Sequence, residues 1–275
     1  MARLDLTDLI CNFRARIRRA ATRVALSGAC LTGKDLFVPR QTNTALYIQL
    51  HESGHSLGDL LRVQKAYRVA CAMFNGRYRK SGRPFICHAV GAASSVAHFE
   101  RDLDFVLAAM FHAAYDSGQY PDGRSSRRSE AHRKWLEARI GPRAEGLVAR
   151  VGAMKFDTGD PERLLQEGVP AGDEDILFLQ LAHEVDDLAD GGLAFAPKYG
   201  RSIETRVAAC AILARQLGRE DLAATIDTYG GRYEALGWAA ALQDVRLEGF
   251  RIAPNMRTYI KLRREKLRGG SIEVI

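Results

Sequence analysis

Apolar residues recur at spacings of three and four through most of this 275-residue chain, and alternating runs of more than four residues are nearly absent. That period lines up side chains along one stripe of an α-helix and scatters them over both faces of a strand. The chain is therefore constrained to an all-α fold. The spacing predicts helices over Leu4–Leu26, Ser56–Phe74, His88–Phe99, Leu103–Tyr115, Ser129–Ile140, Pro142–Ala153, Asp173–Leu188, Ile203–Leu217, Glu220–Ala241 and Asn255–Arg268. Segments rich in Gly, Pro, Ser or Asp predict loops at Ser27–Thr42, Ser117–Arg128, Phe156–Gly172 and Asp190–Ser202.

Local chemistry supports several of these boundaries. Ser56 ahead of Leu57-Gly58-Asp59 has the capping pattern, Asp102 is placed to cap the helix leading to His112, and Ile140-Gly141-Pro142 reads as a stop followed by a proline-opened start. Length and composition fit one helical domain spanning 1–275, with helical extensions at 1–55 and 200–275.

No run of about 18 apolar residues appears, and the Arg-dotted N-terminal stretch lacks an apolar signal core, so neither membrane nor secretion is expected. The five cysteines are scattered, odd in number and without a CxxC pair, which argues against a disulfide framework or a zinc ribbon and for a cytoplasmic setting. The formal charge of +7 is partly gathered at the two ends and in Arg124, Arg127 and Arg128. Such clusters can meet phosphate, but they equally describe solvated helix faces, and nucleic acid is not the expected partner.

Three histidines carry the chemistry. The run KAYRVACAMFNGRYRKSGRPFICHAVGAASSVA from Lys65 contains Arg79, Ser81, Gly82, Pro84, Phe85 and His88; Leu107-Ala108-Ala109-Met110-Phe111-His112 and Phe178-Leu179-Gln180-Leu181-Ala182-His183 follow. In this order they resemble the HD-superfamily hydrolase domain of the alarmone (p)ppGpp hydrolases, over about Arg62 to Leu188. The resemblance implies an HD-domain-like helical bundle with a core at 62–190, a divalent ion, and a small phosphorylated substrate such as a nucleotide. It also implies that Arg79, Lys80 and Ser81 hold that substrate. The chain departs from the pattern at three points. Ala113 stands where the HD dyad has aspartate, Asp116-Ser117 keeps one carboxylate of an acidic pair, and His183 replaces the last metal-binding aspartate.

Imidazole nitrogens and carboxylate oxygens bind first-row divalent ions, so His88, His112 and His183 are the expected metal ligands, for manganese, zinc or iron. A three-histidine set leaves a coordination position open for water, whose pKa the metal lowers. Asp116 lies four residues after His112, and Asp187 four after His183, each on the same face of a predicted helix; these two carboxylates are the expected catalytic groups. Three functions fit. One is an HD-type metal-dependent hydrolase. The second is an inactive HD-like domain that binds a phosphorylated ligand or a protein, a homo-oligomer included. The third is a non-haem iron oxygenase. His51-Glu52-Ser53-Gly54-His55 has HExxH spacing, but Ser53 and Gly54 weaken the helix that motif needs, and a turn at Ser53–Ser56 fits as well.

Overall fold

Helix ends in this chain are written by short-range hydrogen bonds, and these set the frame for everything else. In a computed structural model, residues 36–79, 81–122, 128–154, 156, 160–191 and 203–236 are described. Their regular elements are all helices joined by turns and loops, and strand-like pairing among them is confined to isolated bridge positions such as Tyr78 with Pro84. The predicted helices Leu4–Leu26 and Asn255–Arg268, the Asp190–Ser202 loop beyond 191, Lys80, Arg124 and Arg127 lie outside the described residues. Chain contacts divide the protein into two compact units; of the described residues, one takes those within Arg40–Met154 and the other those within Lys155–Arg246 together with residues 36–39.

The first unit contains α1 (Asn43–Glu52), α2 (Leu57–Met73), α3 (Phe85–Phe99), α4 (Leu103–Met110), α5 (Ala114–Ser117), α6 (Glu130–Ile140) and α7 (Pro142–Val151). Thr42 caps α1, and that helix ends where Ser53 and Gly54 turn the chain, Gly54 taking φ 89°. His51 therefore lies on a helix and His55 in the turn beyond it, so the HExxH reading fails for the backbone reason anticipated. Ser56 then starts α2 with a reciprocal box: its hydroxyl accepts from the Asp59 amide (3.2 Å), and the Asp59 carboxylate accepts from the Ser56 amide (3.0 Å). Val63, Ala66, Ala70 and Met73 of α2 point inward at helical spacing.

At the centre runs α3, buried from His88 to Ala97. Its run of Ala, Gly and Ser lets neighbouring backbones come close, and α1, α2 and α4 pack on it. The buried Ser94 is satisfied by Gln49 in both directions and by the Arg40 amide. Asp102 caps α4, as expected, through the Asp104 amide at 2.9 Å. Gly141, at φ 96°, separates α6 from the proline-opened α7; a side chain there would also press on Arg62, whose guanidinium holds Asp104 and the Ile140 carbonyl.

The second unit contains α8 (Asp160–Glu167), α9 (Glu174–Ala189), α10 (Ile203–Gln216) and α11 (Glu220–Leu236). Helix α8 falls inside the predicted Phe156–Gly172 loop. Arg163 stabilises it by pairing with Asp160 and Glu167 at one-turn spacing, while Pro161 and Leu164 supply its buried side. Helix α9 is buried on nearly all sides, and α11 packs on both α9 and α10. The Tyr229 hydroxyl donates to the Phe37 carbonyl (2.8 Å), tying residues just before Arg40 to this unit. No described helix is long and apolar enough to cross a membrane.

Candidate metal centre

In the first unit the site begins with the loop that enters α3. Its two sides are pinned by Arg79 N to Arg83 O (2.9 Å), Gly82 N to Arg79 O (2.9 Å) and Phe85 N to Arg77 O (2.9 Å). Gly82 takes φ 79°, a conformation side-chain-bearing residues rarely adopt, which accounts for the Ser-Gly pair at the tip. The Ser81 hydroxyl is buried with no hydrogen-bond partner among the described residues. Pro84 fixes the entry into α3, and Phe85 packs on Phe74 and edge-on against His88.

His88 and His112 meet in this unit. Their Nε2 atoms are 3.2 Å apart and their rings nearly perpendicular. His88 is buried and His112 partly so. On its outer side His112 Nδ1 lies 2.8 Å from the Ala109 carbonyl; His88 Nδ1 contacts the Arg79 guanidinium. A carbonyl only accepts, so His112 keeps its proton on Nδ1 and turns an Nε2 lone pair inward. That outer hydrogen bond is the support metal-binding histidines ordinarily have. Two ligand atoms at 2.0–2.1 Å from one ion lie about 3.0–3.4 Å apart, so the His88–His112 spacing fits a shared ion.

The predicted continuous helix Leu103–Tyr115 is interrupted. α4 stops at Met110, three residues form turns, and the four-residue α5 follows. Asp116 therefore does not share a helix face with His112, and the one-turn relation expected from sequence does not hold. Its own neighbourhood anchors Asp116 instead. Tyr115 donates to Glu145 of α7, which also takes Arg133 of α6 in a two-pronged pair at 2.8 Å and 2.8 Å. On the other side Gly118 lies so close to α2 that a Cβ would sit 2.8 Å from Met73 Sδ, and Gln119 N bonds the Met73 carbonyl (2.9 Å). Partial desolvation pushes the Asp116 carboxyl upward from its ordinary value, although the residue as a whole is exposed.

In the second unit, α9 carries a buried cluster of histidine and carboxylates that could hold a metal ion. His183, Glu184 and Asp187 offer ligand atoms within 4.8 Å of one another, with His183 Nε2 3.9 Å from Asp187 Oδ2. Asp186 is completely buried beside them. Glu184 is already engaged: Arg206 of α10 grips both its oxygens (3.0 and 2.6 Å), and both side chains are buried. Sequence reasoning missed this pair, although its signal was present. An arginine at the head of the apolar run Val207-Ala208-Ala209-Cys210-Ala211-Ile212-Leu213, once buried, requires an anion in the fold. The same desolvation drives the Cys210 thiol strongly upward, leaving it an inert core residue.

No family model matches the chain, and no curated protein matches it.

Proposed function

We propose that the chain is an HD-type, divalent-metal-dependent phosphohydrolase acting on a small phosphorylated metabolite such as a nucleotide. The observation that carries this reading is the His88–His112 pair, with Nε2 atoms 3.2 Å apart and the outer nitrogen of His112 held by a backbone carbonyl. The resemblance described above adds His183 as the third imidazole, and Asp187, one turn further along α9, as its carboxylate companion. A bound ion would supply Lewis acidity and an activated water.

The chain's own residues then have distinct tasks. Asp116, an exposed carboxylate whose pKa partial desolvation raises above its ordinary value, accepts a proton from water. By the resemblance, Arg79, Lys80 and Ser81 would hold the anionic substrate, Arg79 and Ser81 belonging to the loop that leads into α3. A second reading, a phosphorylated-ligand-binding domain without chemistry, is favoured by Ala113 in place of the dyad aspartate.

Metal analysis of protein purified without added metal, followed by reconstitution with manganese, zinc or iron, separates the two. The hydrolase reading expects about one ion per chain in the wild type and loss of it in His112→Ala and in His183→Ala. Retention of the ion in His183→Ala would remove the third ligand from the proposal. A wild type that takes up no metal would leave only the binding domain.

A further inference from the structure

We propose that the outward face of the α1–α2 hairpin is a self-association surface, on which a second copy of this chain docks with its own α2 antiparallel. The proposal goes beyond the metal-dependent reading and does not depend on it.

The face is marked first by its burial. Leu57 is 72% exposed, Ile48 58% and Leu61 47%, while Leu46, Leu50 and Val63 of the same two helices are fully buried. Leu57 and Leu61 lie one turn apart on α2, and the exposed Lys65 and Arg68 continue that stripe at spacings of four and three. Val63, Ala66, Ala70 and Met73 line the opposite, buried side. On α1, Ile48 is followed one turn later by the exposed Glu52. The bend at residues 53–56 folds α1 back along α2, and the two helices pack on each other and on α3. Ile48 and Leu61 each sit one helical turn from that bend, which brings them level on neighbouring helices at the middle of the outward face. A single exposed leucine is ordinary on any protein; three large aliphatic side chains on one hairpin make a patch.

The charges around the patch select its occupant. An acid, Glu52, stands at the bend, and two bases, Lys65 and Arg68, stand at the far end of the α2 stripe. A half-turn about an axis through Leu61 sets Lys65 opposite Leu57 of the second copy and Arg68 opposite its bend. The alkyl stem of Lys65 then covers that leucine, and Arg68 reaches Glu52 of the second copy. By symmetry each contact occurs twice, and the arrangement closes at two chains. A parallel pairing would instead set Lys65 against Lys65 and Arg68 against Arg68, leaving Glu52 unmatched in both copies, so the face is complementary to itself in one direction only. Its size sets the strength. Helices of 10 and 17 residues side by side cover roughly 20 Å by 25 Å, less than the ~800 Å² per partner of a standard interface, so the dimer should dissociate with a constant in the tens of micromolar.

Sedimentation equilibrium of the full chain, from about 1 to about 300 µM, reads the association. The proteins compared are the wild type, Leu61→Glu, Glu52→Arg, Arg68→Glu and the double variant Glu52→Arg/Arg68→Glu, with circular dichroism checking that each is folded. The wild type should dimerise within this range. Leu61→Glu sets two carboxylates against each other on the axis and should weaken the dimer at least roughly a hundredfold. Each single charge reversal should weaken it about tenfold, and the double variant should return to within about threefold of the wild type. That rescue decides the question even if Leu61→Glu does not fold. A wild type that stays monomeric throughout would overturn the proposal and leave the face to residues 1–35 or 237–275 of the same chain, or to a different protein. A dimer that survives Leu61→Glu uses another face, and one that the double variant does not restore uses another register; either result overturns it too.

Discussion

Arg206 and Arg79 each contact an inward-lying side chain, yet the two side chains differ in kind. Arg206 grips an ionised carboxylate, Glu184, with both members buried, whereas Arg79 meets a neutral imidazole, His88. Removing the first arginine strands a charge in a medium that cannot solvate it. Removing the second strands no buried carboxylate of that kind at His88. The same residue type thus serves architecture in one unit and the candidate site in the other, and burial of an arginine does not by itself say which.

The sharpest way to break this contrast is Arg206→Met. An uncompensated buried Glu184 should cost about 3–5 kcal/mol in urea unfolding, and Glu184→Leu added to it should recover most of that loss. An effect under about 1 kcal/mol would show that Glu184 finds water or another donor, and the contrast would fail. Glu145 provides an intermediate case. Burial works against its ionisation, but Arg133 and the Tyr115 hydroxyl outweigh this and hold its carboxyl below the usual value of 4.5. Arg133 is partly exposed, at 38%, so screening limits the worth of the pair, and Glu145→Gln should cost about 1–2 kcal/mol at neutral pH. A depressed carboxyl contributes stability above its unfolded pKa and loses it as pH falls through its folded one. The gap between wild type and Glu145→Gln should therefore be full at pH 6–7 and close below about pH 4.5. A gap constant from pH 7 to pH 3 would refute that assignment. The smallest effect belongs to Arg79→Gln, which should change stability in urea unfolding by less than about 1 kcal/mol.

Much of the fold was legible because caps act over three or four residues. Ser56, Asp102 and the Gly141-Pro142 pair mark their helices in the bare sequence and do so in the structure. Helix α8 was hidden because Asp160 to Glu167 is mostly polar, and only Pro161 and Leu164 reach the interior. Of the candidate site, the meeting of His88 with His112 was legible only through the resemblance stated from the sequence. The separation of Asp116 from the His112 face was not, since Phe111 to Ala113 are ordinary residues in an apolar run and nothing local announces a break. Contacts such as Arg79 with His88 and Arg206 with Glu184 depend on how a loop or a second helix is presented, which no single segment encodes.

The stop of α4 at Met110 has a consequence for His112. In an unbroken helix the Ala109 carbonyl would be taken by the amide four residues on, at Ala113. Because the coil ends early, that oxygen accepts instead from the His112 amide (3.3 Å) and from the ring of the same residue (2.8 Å). Where related arrangements employ an acidic neighbour to orient a histidine, this chain makes do with an atom of its own main chain. No substitution at position 109 can delete that acceptor, so the orientation of this imidazole is guarded against mutation in a way that a side-chain partner never could be.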